Sequence, residues 1–310
     1  MPDLQQNPVE ISVIVRSHND GDLIRDTLSM LCGQTAAGRM EILLFDDNST
    51  DGTLEIAASF PNVTIVPWDG QTYNPPRVLN RAVDAAHGKY IVFNNSDAVP
   101  CSSDAVERIV AYLQDPQVGA VYGNQVPRKD ALPLVRKDYE RAFGDGTIAA
   151  SWGFMFSLVF SAVRADVARQ IRFNPAFQYS EDIDWALRIR ESGLRIAYAA
   201  DATVVHSHNY TPEILRKRFY NEGVANGMLY GKRPAFARAF LGFAAESARD
   251  LRYLLRHHEL GYYFFAGIRY RYIQRMSCYR GEKYAWEQDF FHKKDSPVPL
   301  MPKKPEQPLK

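Results

Sequence analysis

"IVFNNSDAVP", residues 91–100, opens as an apolar run and ends in Asn94, Asn95, Ser96 and Asp97, with Pro100 behind them. A short apolar run bounded by turn residues reads as a strand buried on both faces, so the polar end marks where the chain leaves the core. The same signature recurs upstream in "ISVIVRS" (11–17), "MEILLFDD" (40–47) and "NVTIVPW" (62–68). Between these runs, "DLIRDTLSMLCGQ" (22–34) has apolar residues at helical spacing. "STDGTLEIAASF" (49–60) opens a second helix with Ser49, Thr50 or Asp51 as its cap. "NPPRVLNRAVDAAHG" (74–88) is a third, with proline at its start and glycine at its end. Strands alternating with helices predict an open α/β, Rossmann-like sheet, mostly parallel, with helices on both sides.

Ligands of such sheets bind beyond the carboxyl ends of the strands. Those ends are polar throughout: Arg16, Ser17, His18 and Asn19; Asp46, Asp47, Asn48 and Ser49; Asn95, Ser96 and Asp97. Carboxylates so placed suit a base, a ribose or a divalent ion, although Asp47 and Ser49 also suit the capping of the next helix. No G-x-G-x-x-G follows the first strand and no G-x-x-x-x-G-K-[ST] occurs, which excludes a dinucleotide oxidoreductase and a P-loop enzyme.

Two segments of the second half carry further chemistry. "YSEDIDWALRIRESG" (179–193) places Glu181, Asp182 and Asp184 at a helix start, where the dipole stabilises carboxylates. "TVVHSH" (203–208) spaces His206 and His208 at strand period, on one side of the chain. In "GTIAASWGFMFSLVFSAVRADVARQIRFNPAF" (146–177), Trp152, Phe154 and Phe156 alternate with other residues. That pattern fits an aromatic face for a sugar and equally fits core packing.

The 310 residues are 46% hydrophobic and 24% charged, enough for a large core and an appendage. No apolar run approaches the roughly 20 residues of a membrane span, and Met1 to Glu10 lacks the features of a signal peptide, so a cytoplasmic protein is expected. Cys32, Cys101 and Cys278 are odd in number and far apart, which predicts packing residues rather than a disulfide framework or zinc site. The net charge of +1 hides an asymmetry: residues 213–294 carry 16 Lys and Arg against 8 Asp and Glu. This basic, aromatic-rich stretch reads as long helices, suited either to an anionic membrane surface or to packing and dimerisation. No nucleic-acid motif accompanies the charge. The tail 295–310, rich in proline and lysine, reads as disordered or extended.

Taken together, "ISVIVRSHND", "EILLFDDNSTDGT", "PPRVLNRAVDAAHGKYIVFNNSDAVP" and "SEDIDWALRIRESGLRIAYAADATVVHSHNYT" resemble family 2 glycosyltransferases over residues 10–212. Within that family the chain is most similar to the bacterial rhamnosyltransferase-like branch, with "YGNQVPR" (122–128) and "HSHNYT" (206–211) as further cues. The resemblance implies a GT-A fold, a nucleotide-sugar donor, a divalent cation and inversion at the anomeric carbon. It divides the chain into a catalytic domain 1–212 (nucleotide half 10–125, acceptor half 126–212), a helical extension 213–294 and the tail.

By the same resemblance, Asn95-Ser96-Asp97 stands where the family has Asp-x-Asp, so Asp97 is the metal contact and Asn95 replaces the first acid. Asparagine offers a carbonyl oxygen but no charge. His206 matches the metal-binding histidine, with His208 second, and imidazole favours Mn²⁺ over Mg²⁺. Asp182 matches the general base. Glu181 is expected to orient the acceptor, Trp152, Tyr179 and Trp185 to line or support its site, and Arg188 and Arg190 to support the site or the diphosphate. Asp47 is expected to bond the base and Arg77 to contact phosphate or base. Ser17, His18 and Asn19 replace the family's Thr-Tyr-Asn, leaving His18 to stack on the base. The expected activity is transfer from dTDP-rhamnose or a UDP-hexose to a hydroxyl of a surface-polysaccharide or lipid-linked glycan. The competing expectation is a nucleotide-sugar-binding protein that has lost catalysis.

Overall fold

The computed structural model describes residues 9–67, 70–153 and 155–292. Phe154 and the tail 295–310, both singled out above, lie outside these residues. Eight strands form one sheet: β1 (Ile11–Ser17), β2 (Met40–Asp46), β3 (Val63–Val66), β4 (Tyr90–Asn95), β5 (Val99–Pro100), β6 (Val118–Val126), β7 (Phe160–Arg164) and β8 (Arg195–Val205). Their order is β3-β2-β1-β4-β7-β6-β8-β5. The β1–β2, β2–β3, β1–β4 and β6–β8 pairs are parallel, whereas β7 runs antiparallel to both β4 and β6, and β5 antiparallel to β8. The alternation of the first hundred residues therefore forms the expected parallel half. The mixed half also has helices between its strands, and it differs in the antiparallel placement of β7 and β5, which no local pattern marks.

Strand order reverses at β1, with β2 and β3 added on one side and the parallel β4 on the other, which makes the carboxyl ends of β1 and β4 a topological switch point. One layer of core, with Ile24, Leu28 and Leu31 of the helix Gly21–Cys32, covers one face. Val78, Leu79, Ala82 and Val83 of the helix Pro75–Ala85 cover the other. That helix starts as the sequence predicts: Asn74 Oδ1 accepts from Arg77 N at 3.1 Å, with proline in the first turn. It stops three residues before Gly88, whose role differs from the expected helix end. A Cβ at Gly88 would lie 2.6 Å from Ser12 N, so only glycine lets this turn pass against β1.

The chain forms two compact units. The first comprises the chain up to Ala131 with Asp138–Asn174 and Glu181–Ser207, and it contains the whole sheet. The second comprises Leu132–Lys137, Pro175–Ser180 and the chain from His208 onward. Its long helices are Pro212–Tyr230, Phe236–Arg256 and Ile268–Glu287. The first and third cross closely: a Cβ at Gly223 or Gly281 would come within 2.0 Å of the other helix's backbone. This unit also buries charge. Asp250, fully buried, accepts from Lys137 Nζ and from Arg271 at 2.7 and 2.9 Å. All three cysteines are free thiols, and Cys101 is exposed rather than packed.

Candidate active site

Parallel register brings residues 17 and 46, and 16 and 95, side by side at the sheet's carboxyl edge. Ser17, buried, donates its hydroxyl to Asp46 Oδ2 at 2.6 Å. Ser49 folds back onto the same Asp46, through its N–H at 2.7 Å and its hydroxyl at 2.6 Å. Neither Ser49 nor Asp47 caps the following helix. Asp51 serves that start instead, accepting from Thr53 N at 3.1 Å and from Gly21 N at 2.9 Å. His18 Nδ1 bonds the Asp47 carbonyl at 2.6 Å, and the Asp47 carboxylate is 3.8 Å from the same ring. Asn19 sits in the left-handed region at φ 56°, with its N–H reaching Ser49 Oγ at 2.8 Å and its side-chain Oδ1 accepting from Thr50 N at 2.8 Å. Ser17, His18, Asn19 and Asp47 thus form one interlocked rim. Arg77 is exposed on the first turn of its helix.

The asparagine at 95 has a structural partner that the sequence reading left without a role. Arg16 Nη2 donates to Asn95 Oδ1 at 3.2 Å, and Arg16 Nη1 lies 3.7 Å from Glu181 Oε1. Negative charge near this guanidinium therefore comes from the helix start at 181. Burial pushes the Glu181 carboxyl up to about 7; the neighbouring Asp182 adds to the rise and Arg16 opposes it. Tyr73 is held above the usual phenol range by burial, with Arg16 pulling the other way. Ser96, buried, donates to Asp20, whose carboxyl burial also raises.

Asp97 and His206 meet at the far side of this edge. A register shift between β6 and β8 realigns Val126 with Val205, and His206 N then bonds Val126 O at 3.0 Å. Both side chains are buried, with Asp97 Oδ2 3.5 Å from His206 Nε2. His206 Nδ1 donates to Gln125 Oε1 at 3.0 Å, and Tyr139 OH is also 3.0 Å away. Gln125 Nε2 donates in turn to Ser157 Oγ at 3.0 Å. An amide oxygen accepts only, so a proton is placed on Nδ1, and Nε2 is left facing the carboxylate. Anchoring one ring nitrogen to aim the other is how proteins orient a metal-ligating histidine, and a carboxylate with an imidazole suits a divalent cation. Arg128 fixes the backbone on either side, donating from its guanidinium to Asp97 O and from its N–H to Ser207 Oγ at 3.0 Å. Gln125 and Arg128 belong to "YGNQVPR", so the sequence held their signal without assigning their roles. Strand β8 ends at Val205, and the exposed His208 begins the second unit, its ring stacked on Tyr210 at 5.3 Å. Two residues of chain span at most about 7 Å, so covalent connection alone keeps His208 near His206.

The three acids of 181–184 divide by environment. Asp184 is buried and held by Arg188 at 2.6 and 3.0 Å, a structural pair. Asp182 is half-buried, its Oδ1 accepting from Ile183 N at 2.9 Å. Trp185, expected to line or support the site, is fully buried, stacks on Phe173 at 5.0 Å and donates its indole N–H to Ile171 O at 2.6 Å. It supports the site only by seating the helix. Phe156 packs beside it at 5.4 Å, so the alternating aromatics at 152–156 do not form one exposed face. Arg188 and Arg190 donate to the carbonyls of Arg172 and Met155 at 2.7 and 3.3 Å, holding backbone. Trp152 is half-buried in the first unit, and Tyr179, in the second, lies 6.0 Å beneath the Arg218 guanidinium.

Known proteins share this architecture. A sequence model described as "Glycosyl transferase family 2" matches residues 12–170. The O-antigen chain rhamnosyltransferase RfbN of Salmonella typhimurium is 29% identical over 80% of this chain and 82% of its own. The O-antigen chain rhamnosyltransferase WbaN of Salmonella anatum is 30% identical over 70% and 72%. Among solved structures, the mannosyltransferase PcManGT of Pyrobaculum calidifontis, in complex with GDP-Man and Mn²⁺, aligns over 91% of this chain and 88% of that one. Its TM-score is 0.63 at 20% identity, a likeness of fold. The matched sequence and the GT-A sheet agree: this chain belongs to glycosyl transferase family 2 and is a glycosyltransferase acting with a nucleotide-sugar donor.

Proposed function

We propose that this chain is an inverting, cation-assisted transferase that moves rhamnose from dTDP-rhamnose to a hydroxyl of a surface-polysaccharide or lipid-linked glycan. The observation that carries the reading is the buried Asp97–His206 pair, with His206 anchored through Nδ1 so that Nε2 faces the carboxylate. The two Salmonella relatives are O-antigen chain rhamnosyltransferases, which supports rhamnose as the sugar. Asp97 and His206, with His208 two residues on, would hold Mn²⁺ or Mg²⁺. A bound cation supplies Lewis-acid stabilisation of the leaving diphosphate.

Asp182 takes the proton of the acceptor hydroxyl as the acceptor oxygen forms its bond to the anomeric carbon and the bond to the nucleoside diphosphate breaks. Glu181 orients the acceptor and is itself held by Arg16. Asp47 and the 17–19 turn bind base and ribose, His18 stacking on the base. Asn95 and Ser96 complete the ribose side, Arg77 reaches the phosphates, and Trp152 and Tyr179 contact the acceptor sugar. In this reading 1–212 is the catalytic domain and 213–294 an extension, working in the cytoplasm.

The test is thermal unfolding against a panel of nucleotide diphosphates and nucleotide sugars, with and without Mn²⁺. A ligand at 100 times its Kd adds about 2.7 kcal/mol to the folded state. The expected result is a dTDP-selective, Mn²⁺-dependent rise that His206→Ala abolishes. A metal-independent rise would remove Asp97 and His206 from the site, and selectivity for UDP or GDP would replace the donor.

A further inference from the structure

The helix Phe236–Arg256 is turned inside out. Its buried side carries Glu246, Ser247 and Asp250 with Leu254. Its two acids, the only ones in the helix, are therefore both inside. They are held there by partners: Asp250 by Lys137 and Arg271, and Glu246 by Arg249 and Arg275. Ala237, Leu241, Ala244, Ala248 and Leu255 recur at helical spacing on the opposite, exposed side. Leu241 is 67% exposed and Leu255 50%. Beside this stripe run Arg238, Arg249, Arg252 and Arg256, all exposed. In the π-helical turn Tyr263–Gly267, Phe264 and Phe265 are 68% and 89% exposed. A chain sorted only by water would bury these side chains and expose the acids. An apolar surface of this kind marks a contact with something else.

We propose that this surface seats the protein on an anionic lipid bilayer, with the Ala/Leu stripe and the Phe264–Phe265 turn entering the headgroup region and the arginine row meeting lipid phosphates. The occupant follows from charge. An apolar stripe flanked by cations and free of exposed acids matches a layer whose surface is anionic and whose interior is apolar. A second copy, docking the same face on itself, would bring two arginine rows together without an acid between them. No described helix is long and apolar enough to cross a membrane. The surface stands apart from the catalytic reading, since it needs neither cation nor nucleotide.

The experiment is flotation of the full chain with vesicles of phosphatidylcholine, with and without phosphatidylglycerol, in the absence of metal and nucleotide. Binding is expected only to the anionic vesicles. Arg252→Glu with Arg256→Glu should weaken it on the order of thirtyfold. Phe264→Ser with Phe265→Ser should weaken it at least about tenfold. Each pair must keep the parent's unfolding midpoint, which exposed positions permit. No binding to anionic vesicles, or binding that both pairs leave intact, would overturn the proposal. So would a dimer in solution that both pairs dissociate, which would assign the face to a second copy.

Discussion

Charge is used in opposite ways in the two units. In the first, Arg16, Asp97 and His206 at strand ends and Glu181 at a helix start lie at the edge of an apolar core, and burial pushes Glu181 up to about 7. In the second, Asp250, Lys137 and Arg271 sit inside the unit, closed on one another by direct bonds. A buried ion pair closed in this way is a structural device, and one at the carboxyl edge of an α/β sheet is where perturbed protonation becomes chemistry. The difference teaches that burial alone does not mark a functional charge; what the charge faces does.

Three substitutions test that distinction, in order of expected effect. Asp182→Asn should lower turnover by about 10²–10⁴-fold while leaving the donor-induced thermal shift and the unfolding midpoint unchanged. Undiminished transfer would remove Asp182 as the base. Asp250→Ala should do the reverse, costing about 3–5 kcal/mol of stability in denaturant titration by stranding Lys137 and Arg271. A loss below about 1 kcal/mol would mean that the second unit's charges are solvated and the contrast is false.

The smallest effect is the pH dependence of Glu181. Its folded pKa of about 7 lies above the ordinary 4.5, so the folded state holds this proton more tightly than the unfolded one. Stability from this group is therefore full below the ordinary value and lost as pH rises through the folded one, by a few kcal/mol at most. Glu181→Gln should match the parent more closely in slope at about pH 8 than between about pH 5 and 7, where the parent alone loses stability. Equal pH slopes in both proteins would show that burial does not shift this carboxyl.

Much of the first unit was legible because its signals are local. Apolar runs ending in "RSHN", "DDNS" and "NNSD" mark three adjacent strand ends, and "NPP" marks a helix start that Asn74 caps as read. The misreadings come from residues whose role depends on distant neighbours. Ser49 looks like a cap but bonds back to Asp46; Gly88 looks like a helix end but makes room for Ser12. Trp185 reads as lining or supporting the site, and Phe173 and Phe156 enclose it, which only their packing decides. The helix Phe236–Arg256 was legible as basic and aromatic, but not as inverted, because Lys137 and Arg271, which allow its acids inside, lie 113 and 21 residues away.

The sequence by itself determined the alternating α/β half, the polar strand ends and the family, since side-chain periodicity and turn chemistry act over a few residues. Only the tertiary structure decided that Arg16 joins Asn95 to Glu181, that Gln125 aims His206 at Asp97, and which face of a helix meets water. Those pairings span 79, 81 and 165 residues or rest on one register shift, and they exist only once strands are aligned in a sheet.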